Sequence, residues 1–173
     1  MIAALLETPG KSPALHLCRG LLLLALVVAF ADAATAQPIE IQADQFEMLL
    51  DERKTTYTGN VVATQGGRTI TGHELLVRFN EDNEILAMRA NGEPARLADA
   101  ENGTPISLAG ATLDYDFDES MVRAESGGVL SRGGDSVSAP KIVYDLDSES
   151  ARAVGDDTHR VTLRLAPANR NRG

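Results

Sequence analysis

The sequence has little cysteine, few aromatic residues and no tryptophan. Its single cysteine, Cys18, precedes an apolar run near the N-terminus, so the remaining chain has no thiol for a disulfide framework. Aromatic residues make up only 4% of the chain, which argues against a sugar-binding site built from stacked, exposed rings. The apolar run at residues 21–30 is about half the ~20 residues that a membrane-spanning helix needs.

The N-terminal region has the order of a secretory signal peptide. Lys11 and Arg19 precede the apolar run, and Ala34-Thr35-Ala36 follows it as an A-x-A cleavage signal. We therefore expect residues 1–36 to be removed and an exported domain to span residues 37–166. An uncleaved membrane anchor is the alternative.

The net charge of −9 makes nucleic acid a poor candidate ligand, because nucleic-acid binding depends on neutralising phosphates. The C-terminal end departs from this acidic character. Residues 160–173 contain arginines and no acid, and residues 167–173 are expected to form a disordered basic tail. This end is either simply solvated or contacts something anionic.

Apolar and polar residues alternate through most of the remaining chain. Side chains two residues apart share one face of a strand, so each segment has an apolar and a polar side. No long stretch shows a helical period with caps, and the pattern predicts an all-β protein of short antiparallel strands. The apolar sides include Phe46, Met48 and Leu50; Leu75, Val77 and Phe79; Leu113, Tyr115 and Phe117; and Ile142, Tyr144 and Leu146.

Glycine and asparagine pairs divide these segments and predict hairpin turns, because such turns require positive φ. The pairs are Gly59-Asn60, Gly66-Gly67, Asn91-Gly92, Asn102-Gly103, Gly127-Gly128 and Gly133-Gly134.

The chain also contains an internal repeat. Four similar segments start at Ile41, Ile70, Leu108 and Val137, and a turn-forming residue lies ten positions after each start. Such modules cannot bury an apolar side alone, but stacked modules share one interior. That interior is either a closed core or a groove between separated sheets. Composition does not separate the two, and the sequence alone favours the closed core.

Recognisable catalytic or metal-binding motifs are missing from the sequence. His73 and His159 stand apart from any motif. Asp114, Asp116 and Asp118 share one strand face, which favours a solvated face over a cation site because the pattern departs from a calcium loop. We therefore expect neither an enzyme nor a metal or other cofactor.

Several stretches together resemble the OstA-like family of periplasmic lipopolysaccharide transport proteins. They are "QPIEIQADQ", "YTGNVVATQGGRTITGHELLV", "ANGEPARL", "IVYDL" and "RVTLRLAP", in this order from Gln37 to about Pro167. Each stretch alone is ordinary strand-and-turn sequence, and their joint order carries the resemblance.

The resemblance implies a twisted, half-open β-jelly roll shaped like a folded taco. It also implies a periplasmic protein that carries lipopolysaccharide from the inner to the outer membrane, with the lipid A acyl chains in an apolar groove. This expectation replaces the closed core. The implied partners are an inner-membrane transport complex at the N-terminal strand, an outer-membrane translocon at the C-terminal strand, and further copies bound head to tail.

The expected groove residues have two origins, and each could instead be plain core. The family pattern indicates Ile39, Ile41, Leu97 and Phe117. Strand alternation adds Phe46, Met48, Leu50, Leu75, Val77, Phe79, Leu113 and Tyr115. Partner contacts are expected from Pro38, Ile39 and Ile41 in a strand at 38–43, and from Arg160, Val161, Leu163 and Leu165 in a strand at 160–165.

Two alternatives remain open at this point. The first is a membrane-anchored relative, or the periplasmic domain of the outer-membrane translocon, within the same pathway. The second is an enzyme or a polysaccharide-binding module that acts on cell-envelope sugars.

Overall fold

Strands account for most of the computed structural model, which describes residues 37–101 and 103–167. The predicted signal peptide and residues 168–173 of the predicted tail lie outside the described residues. The strands are β1 (Glu40–Gln42), β2 (Gln45–Leu49), β3 (Lys54–Gln65), β4 (Arg68–Phe79), β5 (Ile85–Asp99), β6 (Ile106–Asp116), β7 (Met121–Arg132), β8 (Asp135–Asp145), β9 (Ser150–Val154) and β10 (Thr162–Arg164), and a 3-10 turn covers Leu50–Glu52.

Within the described residues, all ten strands belong to one antiparallel sheet. Strands β3 to β8 are neighbours in chain order. At one edge, β1 and β2 both pair with β3, and at the other, β9 and β10 both pair with β8. The all-β antiparallel prediction is confirmed, and the sheet does not close on itself. The six central strands are 11–15 residues long, so the prediction of short strands was wrong for them.

The glycine pairs have two different roles. Gly66-Gly67 and Gly133-Gly134 form hairpin turns, as predicted. Gly59-Asn60, Asn91-Gly92 and Gly127-Gly128 instead lie inside strands, where the strand register shifts, so the predicted turns there were wrong. Positive φ at Gly59 and Asn60 lets the backbone bulge without reversing direction.

A bulge occurs near the middle of every pairing between central strands. The register shifts fall between Thr58/Val61, Thr71/Glu74, Asn91/Ala95, Ala109/Thr112 and Glu125/Gly128. We call these aligned positions the hinge row. Because each bulge bends its strand, the row folds the sheet into two layers. Layer A contains the strand ends next to the two Gly-Gly turns, and layer B contains the opposite ends.

A long-range contact shows that the two layers face each other. Arg68 of layer A pairs with Asp99, which in turn pairs with Ile106 at the start of β6. Tyr115 lies near the other end of β6, about 30 Å from Ile106 along a straight strand. The Arg68 guanidinium nevertheless reaches the Tyr115 hydroxyl at 3.3 Å. The strands therefore fold back at the hinge row.

The core lies between the two layers. Leu97 and Leu108 of layer A, and Leu113 and Ile142 of layer B, are almost fully buried. Leu108 and Leu113 are an odd number of residues apart, so a regular strand would point them to opposite faces. The bulge between them corrects the phase and keeps both side chains inside.

The core position Leu108 and the edge position Leu163 give a direct test of this packing. Leu108→Ala should lower the free energy of unfolding by about 2–5 kcal/mol, because it leaves a cavity between the layers. Leu163→Ala, at an exposed position, should change it by less than about 0.5 kcal/mol. Urea denaturation of dilute protein measures both values, and equal values would contradict the two-layer core.

Candidate functional site

Most of the residues predicted for the groove line the space between the layers. Leu75, Val77, Leu97, Leu113 and Tyr115 are buried there. Ile39, Ile41, Phe79 and Phe117 are partly buried and pack against the same core. The rings of Tyr115 and Phe117 stack with their centroids 4.1 Å apart. The structure therefore brings these nine predicted residues together as one apolar interior.

The other three predicted groove residues lie at the N-terminal edge of the sheet. Phe46, Met48 and Leu50 are 69%, 54% and 77% exposed. Leu50 is in the 3-10 turn rather than in a strand, because the Arg53 N–H donates to the Leu50 carbonyl and starts the reversal into β3. The predicted strand through Leu50 was therefore wrong. Met48, Leu50 and Phe79 border a surface pocket of about 180 Å³.

The C-terminal edge also exposes apolar side chains. β10 covers Thr162–Arg164, a shorter strand than the predicted 160–165. Val161, Leu163 and Leu165 alternate there, with Leu163 58% exposed. At the opposite edge, β1 covers Glu40–Gln42 within the predicted 38–43. Both edges of the sheet thus carry short strands. Apolar side chains are exposed on β2 at one edge and along β10 at the other.

Polar side chains line the place where the free ends of the two layers meet, which we call the mouth. Arg68 donates two hydrogen bonds to Asp99, at 3.0 and 2.9 Å, and one to Glu101 at 3.3 Å. It also lies over the Tyr115 ring, 5.9 Å from the centroid. Burial opposes the charge of Arg68, but Asp99, Tyr115 and Glu101 raise its pKa above the ordinary value.

Another ion pair joins the two layers across the mouth. Arg132, at the end of β7 in layer A, donates to Glu149 of layer B at 2.5 Å. Tyr144 of layer B lies close to this pair, and burial raises its pKa above the ordinary value although Arg132 opposes the shift. The mouth is therefore held by contacts between charged and phenolic groups.

Little free space separates the layers at the mouth. One cavity of about 10 Å³ is bordered by Ile39, Ile70 and Tyr115. Another of about 10 Å³ is bordered by Asp99, Ile106 and Tyr144. Each has room for no more than one water molecule. At the mouth the space between the layers is filled by the protein's own side chains, and a larger ligand could enter there only if the layers separated.

The polar residues singled out in the sequence do not converge on a reactive site. His73 and His159 are exposed and lie on different elements. Asp114 pairs with Arg89 at 2.6 Å, and Asp116 accepts the Glu119 N–H. Over residues 37–101 and 103–167, no group of three metal-ligating side chains is found. None of the helices in these ranges is long and apolar enough to cross a membrane.

The two mouth arginines, Arg68 and Arg132, were not predicted from the sequence. Arg68 has the same strand phase as Ile70, and Arg132 has the same phase as Leu130, so both point toward the interior side. Each also flanks a Gly-Gly turn. Together, these two signals could have identified a charged residue at the rim of an apolar face.

The geometry defines a class of protein: a folded antiparallel sheet with an apolar interior, a polar mouth and two open edges. A family model described as LptA/(LptD N-terminal domain) LPS transport protein matches residues 40–150. The chain therefore belongs to this family, and the resemblance noted in its sequence is confirmed.

Individual relatives agree with this assignment. The chain is 29% identical over 150 residues to the lipopolysaccharide export system protein LptA of Escherichia coli K12, covering 85% of this chain and 81% of that protein. It is 25% identical over 157 residues to LptA of Haemophilus influenzae, covering 86% and 91%.

A solved structure shows the same fold. The crystal structure of LptH, the LptA-homologous periplasmic component of the lipopolysaccharide transport device of Pseudomonas aeruginosa, matches with a TM-score of 0.70. The match covers 76% of this chain and 96% of LptH, at 24% sequence identity. The predicted jelly-roll architecture is confirmed by this likeness.

Tyr115 at the mouth predicts that the folded protein becomes less stable at alkaline pH. Burial raises the pKa of Tyr115 above its ordinary value of 10.0, although Arg68 opposes the shift. As the pH rises past 10, the Tyr115 hydroxyl of the unfolded chain loses its proton before that of the folded protein. The stability that this group contributes below pH 10 is therefore lost above it. We expect the urea midpoint to fall between pH 9 and 11, and to fall less steeply in Tyr115→Phe.

Phe117→Leu is the matched control, because it alters the same ring stack without removing an ionisable group. It should lower the midpoint by a similar amount at each pH. A wild-type pH slope retained in Tyr115→Phe would contradict the assignment to Tyr115.

Proposed function

We propose that this chain is a periplasmic carrier that holds the acyl chains of lipopolysaccharide between its two layers on the way to the outer membrane. The observation that carries the proposal is the apolar interior, which extends across the central strands toward both open edges. The transport role of the family and the names of the LptA relatives support it.

The interior suits acyl chains because of its composition. It consists mainly of aliphatic side chains such as Leu97, Leu108 and Ile142, which bind methylene groups without directional demands. Each methylene removed from water contributes ~0.8 kcal/mol. Several acyl chains could therefore offset the cost of separating the layers, and a lining without directional contacts would let them slide.

Separation of the layers is compatible with the hinge row. The aligned bulges allow the layers to open by bending the strands, while the ladder hydrogen bonds on each side of the row stay intact. The cargo would replace the contacts between Leu97 or Leu108 and the opposite layer. We propose that the interior is closed in the empty protein and becomes a groove on loading.

The open edges support assembly into a bridge. Unpaired backbone groups at a sheet edge can accept a strand from another jelly roll. We propose that the β1–β2 edge contacts the inner-membrane transport complex, and that the β9–β10 edge contacts the next copy or the outer-membrane translocon. A contact between two different edges does not close, so copies can join head to tail. Neither catalysis nor a cofactor is needed for this role.

Photo-crosslinking from inside the protein tests the carrier function. A photoreactive residue at Phe117 or Ile41, which pack against the interior, should label lipopolysaccharide in cells. The same residue at Asp116 is the control, because Asp116 has the opposite strand phase to the buried Tyr115 of β6. Equal labelling from positions 116 and 117, or no labelling from Phe117 and Ile41, would refute a carrier with an internal groove.

Charge at either edge tests head-to-tail assembly. Leu163→Asp and Phe46→Asp should each weaken self-association at least tenfold, measured by sedimentation velocity, because each buries a carboxylate in the proposed contact. Ala98→Asp, on an exposed position of the central strand β5, should have little effect.

A mixture of the two edge variants distinguishes a head-to-tail contact from a symmetric one. Each variant keeps one intact edge, so an equimolar mixture of Leu163→Asp and Phe46→Asp should form heterodimers and nothing larger. Persistent long oligomers in the mixture, or loss of all association, would contradict the proposed contact.

A further inference from the structure

Two arginines of layer A lie in one row along the mouth. Arg68 is opposite Asp99, Asp99 is opposite Ile106, and Ile106 is opposite Arg132. Three strand spacings of ~4.8 Å place the two arginine positions about 14 Å apart across the sheet. Both side chains have the phase of the apolar interior, so they mark its boundary with solvent.

Each of these arginines is neutralised by the protein's own carboxylates. Arg68 binds Asp99 and Glu101, and its side chain is only 14% exposed. Arg132 binds Glu149 across the mouth. The Arg68–Tyr115 and Arg132–Glu149 hydrogen bonds join layer A to layer B, so they oppose opening.

An amphiphile with its chains between the layers would place its headgroup at this row. A guanidinium group forms paired hydrogen bonds with phosphate as readily as with a carboxylate. The two arginines are therefore positioned for an anionic headgroup once the layers separate. The exchange replaces carboxylate partners with phosphate, so it leaves no cation unpaired.

We propose that Arg68 and Arg132 form a binding site for the phosphate groups of the bound lipid. Asp99, Glu101 and Glu149 occupy this site in the empty protein. Headgroup binding and opening are then coupled, because an arginine that takes a phosphate releases its contact with layer B. The inference rests on the proposed carrier function and adds to it the residues that recognise the headgroup.

The opposite face of the sheet provides matched controls. Arg89 binds Asp114 at 2.6 Å, and Arg123 binds Glu119 at 2.6 Å. These arginines are also paired with carboxylates, but they have the strand phase opposite to the buried Met88 and Val122. They have the same charge and the same kind of carboxylate partner as the mouth arginines, but they lie on the opposite face of the sheet.

The test compares lipid A with the same lipid A stripped of its phosphates, using equilibrium binding to the purified protein. Wild-type protein should bind the phosphorylated form at least tenfold more tightly. Arg68→Gln with Arg132→Gln should abolish that preference, whereas Arg89→Gln with Arg123→Gln should retain it.

Neutralising the competing carboxylates should change the affinity for lipid A in the opposite direction. Asp99→Asn with Glu149→Gln should strengthen binding of phosphorylated lipid A severalfold, because the site is no longer occupied internally. A loss of folding cannot produce tighter binding. If the glutamine variants of the mouth arginines unfold, the Asp99→Asn, Glu149→Gln variant decides: folded protein that binds phosphorylated lipid A no more tightly than wild type would overturn the site.

Failure of the site and failure of the carrier function give different results. Wild-type protein that binds both lipids equally, or controls that lose the preference as well, would overturn the headgroup site and leave the carrier intact. Wild-type protein that binds neither lipid would overturn both.

Discussion

The hinge row is the constraint on which the rest of the structure depends. An antiparallel sheet with one apolar face must cover that face, and this sheet covers it with its own other half. A bulge in each central pairing bends the strands, and in strands such as β6 it also shifts the alternation of side chains by one position. Leu108 and Leu113 consequently both point inside although their spacing is odd. Without the phase shift, folding the sheet would bury polar residues in one layer.

The same way of folding leaves both edges open. Strands fold back along their own length, and the first and last strands, β1 and β10, do not pair with each other, so the sheet stays open at both edges. At each edge the outermost position is filled by two short strands on either side of the hinge row: β1 and β2 at one end, β9 and β10 at the other. Apolar side chains such as Phe46 and Leu163 remain exposed there.

Charge and apolar surface have separate places in this molecule. The interior between the layers is almost entirely apolar, and Thr55 is its buried polar residue among the positions described. The hydrogen bonds of Arg68 with Tyr115 and of Arg132 with Glu149 close the mouth, where Arg68 and Asp99 are partly shielded from water. The interior can be closed and still be entered at the mouth if the contacts that close the mouth can exchange partners. Hydrogen-bonded ions can exchange partners, whereas packed leucine side chains cannot.

The sequence was enough to predict strands with apolar faces, because alternation is a property of neighbouring residues. The family followed from the resemblance of several stretches taken in order, and the family model confirms it. The sequence also identified nine residues that the structure gathers into one interior. The tertiary structure decided which glycine pairs turn the chain and which bulge it, because Gly59-Asn60 and Gly66-Gly67 look alike until their partner strands are known. It alone placed Arg68 beside Tyr115, since that contact depends on a bend summed over several paired strands rather than on any one of them.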